Sequence, residues 1–235
     1  MKRHLPNAVT CINLLFGCLA LTAIFNGQLA LGAYFVGAAA VADFFDGLLA
    51  RALRVSSAIG KDLDSLADMV SFGVVPGAIL FKLLLQAQGG TQSAPGPLQA
   101  LPFVAFVVTV FSALRLAKFN NDTRQTTSFI GLPTPACTLV VASLPLILLN
   151  DRFGITPIIL NAWVLIGLTV LLSGLLVAEL PLFALKFKNL RWADNRRRFL
   201  FVLVAAGLLL VLHATAVPLV VLIYVLMSVP KTAAR

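Results

Sequence analysis

Five of the nine acidic residues in this 235-residue chain fall between positions 43 and 68: Asp43, Asp46, Asp62, Asp64 and Asp68. Asp43 and Asp46 stand at i,i+3, and Asp64 and Asp68 at i,i+4, so each pair shares one helix face. The chain reads D-x-x-D-G-x-x-A-R, then eight residues, then G-x-x-x-D-x-x-x-D, with Gly47, Ala50, Arg51 and Gly60 as the other fixed positions. Four ionised carboxylates in one pocket repel one another, and they either take up protons or hold cations. Two divalent ions balance four negative charges. Hard oxygen ligands with no His or Cys nearby suit Mg²⁺ or Mn²⁺ rather than zinc. Such a pair of ions clamps a pyrophosphate and stabilises both attacking and leaving oxygens. Gly47 and Gly60 leave room for close approach to helix backbone. Arg51 offers a planar fork to a phosphate, and Ser57 adds a hydroxyl. The competing reading is a set of salt bridges to Arg51, Arg54 and Lys61. One acid at a membrane edge favours that reading; four at these spacings, beside two glycines, do not.

These residues have to be held by helices in a bilayer. The chain is 60% hydrophobic and 11% charged, with a mean hydropathy of +0.98. That profile belongs to a polytopic membrane protein. Eight apolar stretches predict an all-α bundle of about eight transmembrane helices, over 8–25, 29–50, 65–87, 99–118, 133–149, 155–178, 199–212 and 215–229. The last two are short and read equally as one hairpin or a broken pair. Pro76 reads as a helix kink. No soluble domain or long linker interrupts the chain, so residues 1–235 form one expected domain, with the helices over 199–229 peripheral to it.

With both termini in the cytoplasm, 16 of the 18 Lys and Arg residues fall on the cytoplasmic side, as the positive-inside rule requires. Arg152 is left in an outer loop and Lys82 within the third span. The aspartates then lie at the cytoplasmic face. The net charge of +9 is accounted for by loops facing anionic lipid. No groove-reading motif accompanies it, so nucleic acid is not an expected partner. Cys11, Cys18 and Cys137 sit in apolar runs without metal-ligand spacing, which argues against a disulfide framework. The basic N-terminus before an apolar run reads as an uncleaved first helix. Short loops and the missing targeting segment fit a bacterial cytoplasmic membrane.

At the eight signature positions the chain resembles the CDP-alcohol phosphatidyltransferase family. The match is complete but spans about a ninth of the chain. The resemblance implies transfer of a phosphatidyl-type group from a CDP-linked lipid to an alcohol, with release of CMP. It implies that Asp43, Asp46, Asp64 and Asp68 hold two metal ions and that Asp68 is the general base. Gly47, Ala50, Arg51, Ser57 and Gly60 would form the CDP site, with Asn7 from the stretch Pro6-Asn7-Ala8-Val9. Asn7 has a second reading, as an interfacial helix cap. A homodimer is also implied.

The segments LDSLADMVSFGVVPG (63–77), LRLAKFN (114–120), GLPTPA (131–136) and LPLFALKFKN (180–189) resemble the membrane-embedded phosphatidylserine-forming branch of that family. The expected substrates are then CDP-diacylglycerol and L-serine. A serine carboxylate suits bidentate capture by Arg115, with Lys118, Asn120 and Lys186 as further acceptor contacts. Arg115 and Lys118 have the alternative role of positive-inside anchors. Lys118 stands where the branch has arginine, and Ala178 and Ala184 where it often has serine. Two rivals remain from the sequence. One is the same chemistry with glycerol 3-phosphate or an inositol compound; the other is a divalent-cation transporter using intramembrane acids. Direct attack and an enzyme-bound intermediate both fit the residues.

Overall fold

The computed structural model describes residues 4–55, 57–89, 96–121, 128–183 and 192–228. Backbone in hydrocarbon must satisfy its own polar groups, so the apolar runs form helices. In order these are α1 (His4–Phe25), α2 (Leu29–Leu53), α3 (Ala58–Asp68), a π-helical turn (Met69–Val74), α4 (Val75–Ala87), a 3₁₀ stretch (Gly96–Phe106) and α5 (Val107–Asn121). Then follow β1 (Ser128–Ile130), α6 (Thr134–Leu149), α7 (Thr156–Ile159), α8 (Ala162–Val177), β2 (Pro181–Phe183), α9 (Trp192–Leu212), a 3₁₀ turn (His213–Thr215) and α10 (Ala216–Ser228). β1 and β2 form one short antiparallel pair, Phe129 opposite Leu182.

Five helical stretches among the described residues are long and apolar enough to cross a membrane: His4–Phe25, Leu29–Leu53, Ala58–Ala87, Gln99–Asn121 and Asn195–Ser228. Eight were expected. α6 and α8 are apolar, but each has 16 residues. At about 1.5 Å per residue each is some 24 Å long, against a hydrocarbon core of about 30 Å. The expected span over 155–178 is broken, because α7 stops and Asn161 Oδ1 accepts from the N–H groups of Trp163 and Val164 to start α8.

The last apolar stretch doubles back. The rings of Phe201 and Tyr224 lie 5.6 Å apart; along one straight helix they would be separated by roughly 35 Å. His213 turns the chain with a left-handed φ of 52°. Phe183 packs against both rings, and its carbonyl accepts from the Tyr224 hydroxyl at 2.9 Å. The C-terminal hairpin is thereby fastened to β2.

α4 is the innermost helix, with Val75, Ile79, Leu80, Leu83 and Leu84 fully buried. In its first turn, Pro76 has no N–H to give the Phe72 carbonyl one turn back. The Thr138 hydroxyl donates to that carbonyl instead, at 2.8 Å, and the Thr109 hydroxyl donates to the Gly73 carbonyl at 2.9 Å. Gly77 leaves the space that Thr109 occupies. The helix from Ala58 to Ala87 thus carries a π turn, a common form of local adjustment at functional sites, pinned to α5 and α6 directly after Asp68.

Candidate active site

The two halves of the aspartate pattern are joined by a tight, well-capped turn. α2 ends with Arg54 in the left-handed region, and the Arg54 and Val55 N–H groups return to the carbonyls of Arg51 and Ala50. Ser57 then caps α3, its hydroxyl accepting from Gly60 N–H at 3.0 Å. The end of α2 and the start of α3 therefore lie side by side, and the aspartates converge.

Asp43, Asp64 and Asp68 each present a carboxylate oxygen within 4.8 Å of the other two. Asp46 is buried, and its Oδ2 has no hydrogen-bond partner. No Lys or Arg forms an ion pair with these four carboxylates among the described residues. The salt-bridge alternative thus finds no support in the geometry. Asp62 is exposed and stands apart.

The residues present fit divalent cations. Three clustered carboxylates and a fourth with a buried, unpaired oxygen form an all-oxygen donor set whose mutual repulsion needs positive charge. Asp43, Asp46, Asp64 and Asp68 are the residues that would hold the ions.

Beside the cluster lies a cavity of about 250 Å³ lined by Pro6, Asn7 and Thr10 from α1, Asp46, Gly47 and Ala50 from α2, Val55 and Ser57 from the turn, and Gly60, Lys61 and Asp64 from α3. Asn7, Gly47, Ala50, Ser57 and Gly60 were all expected at a nucleotide site, and they meet here. Arg51 does not line this cavity; it is exposed at its edge, its guanidinium near Gly47. Asn7 lies inside α1, past His4, with its side chain against Gly60. That position is not a helix cap.

The acceptor candidates separate. Arg115 is buried in α5; its Nε donates to the Leu132 carbonyl at 3.1 Å, and its guanidinium lies 5.0 Å from the Phe119 ring centre. Asp68 is its electrostatic neighbour. Its terminal nitrogens make no hydrogen bond among the described residues. Lys118 is exposed. Asn120 is engaged in tying α5 to α3: its Nδ2 donates to Ser65 Oγ at 2.8 Å, and its carbonyl accepts from Lys61 Nζ at 3.1 Å. Lys186 lies outside the described residues.

Three contributors escaped the sequence reading. Thr10 and Lys61 line the cavity, and Asn13 Nδ2 donates to Asp68 Oδ1 at 3.3 Å. A signal existed. Asn7, Thr10 and Asn13 follow one another at i,i+3 spacing, a polar stripe in an otherwise apolar helix.

The profile of CDP-alcohol phosphatidyltransferases matches residues 3–174. The chain belongs to the CDP-alcohol phosphatidyltransferase family. Similar curated proteins include the CDP-diacylglycerol–serine O-phosphatidyltransferase of Helicobacter pylori, 28% identical over 88% of this chain and 81% of that protein. The enzyme of that name from Bacillus subtilis is 32% identical over 67% of this chain and 80% of its own length. That from Saccharomyces cerevisiae is 33% identical over 46% and 41%. Membership makes the chain a transferase embedded in a membrane, and it removes the cation-transporter alternative.

Proposed function

We propose that the protein transfers the phosphatidyl group of CDP-diacylglycerol to the hydroxyl of L-serine, giving phosphatidylserine and CMP. The observation that carries this is the convergence of Asp43, Asp64 and Asp68 beside a cavity lined by Asn7, Gly47, Ala50, Ser57 and Gly60. The names of the similar enzymes support serine as acceptor.

The CDP head occupies the cavity, with Ser57 and Asn7 as hydrogen-bonding groups and Arg51 at its edge for a phosphate. The acyl chains stay in lipid. The serine oxygen bonds to the phosphorus that carries the diacylglycerol oxygen, the bond from that phosphorus to the CMP phosphate oxygen breaks, and CMP leaves. Asp68 accepts the hydroxyl proton. Arg115 pairs with the serine carboxylate through its free terminal nitrogens. Asp43, Asp46, Asp64 and Asp68 would hold two divalent ions, Mg²⁺ or Mn²⁺, which when bound would supply positive charge for the pyrophosphate and the leaving CMP.

The basic-residue pattern supports cytoplasmic termini and a cytoplasm-facing site in a bacterial inner membrane. One domain over 1–235, working as a homodimer, completes the proposal.

The test is CMP release by purified protein with CDP-diacylglycerol and Mn²⁺ or Mg²⁺, comparing L-serine, glycerol 3-phosphate and inositol. Release with serine alone is expected. Release with another acceptor instead would keep the aspartate chemistry and discard the role given to Arg115.

A further inference from the structure

Two of the buried, unpartnered polar atoms among the described residues belong to the site: Asp46 Oδ2 and Asn13 Oδ1. Asp46 is explained by the cation it would hold. Asn13 needs another explanation. It is fully buried in α1. Its Nδ2 donates to Asp68 Oδ1 at 3.3 Å, and its backbone carbonyl accepts from Ser71 Oγ at 3.1 Å. Asp68 and Ser71 flank the start of the π turn, so α1 grips that turn on both sides of Met69.

An ionised carboxylate only accepts hydrogen bonds. The amide must therefore turn its nitrogen to Asp68, which leaves its oxygen without a donor. A buried carbonyl oxygen with no donor is unfavourable. Leucine has the same branched skeleton and no such oxygen. For packing alone, then, an apolar residue would serve this position better than asparagine. What the amide adds is its grip on Asp68.

We propose that Asn13 is a positioning residue for Asp68: by fixing that carboxylate from α1, it holds one oxygen back and presents the other to the Asp43–Asp64 cluster. The proposal rests on Asp68 serving the transfer reaction, and it adds a part for the first helix. Groups that orient metal-holding side chains are worth roughly 10–100-fold in affinity or turnover.

The test compares wild type with Asn13→Leu and Asn13→Ala, the second guarding against overpacking by the first. Three quantities are measured: thermal unfolding, steady-state kinetics with CDP-diacylglycerol and L-serine, and Mn²⁺ binding followed by the EPR signal of free Mn²⁺. In both variants kcat and Mn²⁺ affinity should fall roughly 10–100-fold. KM for serine should stay within about twofold, and Asn13→Leu should unfold no earlier than wild type. Unchanged kcat and Mn²⁺ affinity would overturn the proposal. A raised KM for serine at unchanged kcat would make Asn13 an acceptor contact instead. Early unfolding of both variants, in step with lost activity, would make it structural. If wild type turns over no acceptor, the proposed function fails, and the Mn²⁺ titration still decides the part played by Asn13.

Discussion

Asn7 on α1 touches Gly60 on α3: a methyl group on Gly60 would meet Asn7 Oδ1 at 3.0 Å and Ser57 Oγ at 2.9 Å. Both neighbours are ends of flexible side chains that line the cavity, so they can yield, but only by leaving the positions that serve the nucleotide.

Gly60→Ala should therefore separate folding from binding. The substitution favours the helix by up to about 1 kcal/mol, and displacing Ser57 from its cap on the Gly60 N–H costs about as much, so thermal stability should change little. KM for CDP-diacylglycerol should rise about tenfold while KM for serine stays level. An unchanged KM for the CDP-lipid would remove Asn7 and Ser57 from the nucleotide site.

Arg115 supplies a second separation. Losing a charged hydrogen-bonding partner is worth about 1.5–3 kcal/mol, or roughly tenfold to more than a hundredfold in binding. Arg115→Met should raise KM for serine by that factor and leave KM for CDP-diacylglycerol alone. Arg115→Lys should recover part of the loss, since lysine keeps the charge without the fork. Equal KM values for serine in all three proteins would return Arg115 to a purely anchoring role.

Away from the site, Asp151 in the α6–α7 loop gives a pH dependence. The Thr156 hydroxyl and N–H, with the Ile155 N–H, hold its carboxyl below the ordinary aspartate range. A depressed folded value means that the stabilisation is present above the unfolded value of about 3.9 and fades as pH falls through the folded one. Asp151→Ala should lower the unfolding temperature of detergent-solubilised protein modestly at pH 7. The gap to wild type should narrow as pH falls below about 3.9; a gap of constant size over that range would show that the turn does not depend on the ionised carboxylate.

The aspartate site was legible because its information is local. Spacings of three and four residues fix a helix face, and a short turn can only bring the end of one helix against the start of the next. Asn13 was legible only in part: the i,i+3 stripe with Asn7 and Thr10 marks its face of α1, but its partner Asp68 lies on another helix, and nothing local names that partner. The π turn was half legible. Pro76 announces a missing donor, but nothing in the sequence connects Phe72 with the hydroxyl of Thr138 that replaces it. The last two helices, split in the sequence between 212 and 215, read as a hairpin or a broken pair, and the chain does reverse at His213; the contacts among Phe201, Tyr224 and Phe183 that decide for the hairpin join residues far apart in sequence.

The most direct test follows labelled L-serine into lipid while CMP is counted in the same reaction, with Asp68→Asn beside wild type. Wild type should form phosphatidylserine and CMP one for one, only when Mg²⁺ or Mn²⁺ is present. Asp68→Asn should fold, bind to the membrane fraction as wild type does, and lose at least about a thousandfold in rate, within the reach of a general base that also helps hold the ions. Phosphatidylserine formation by Asp68→Asn at the wild-type rate, or CMP released by wild type without serine entering the lipid, would contradict the mechanism.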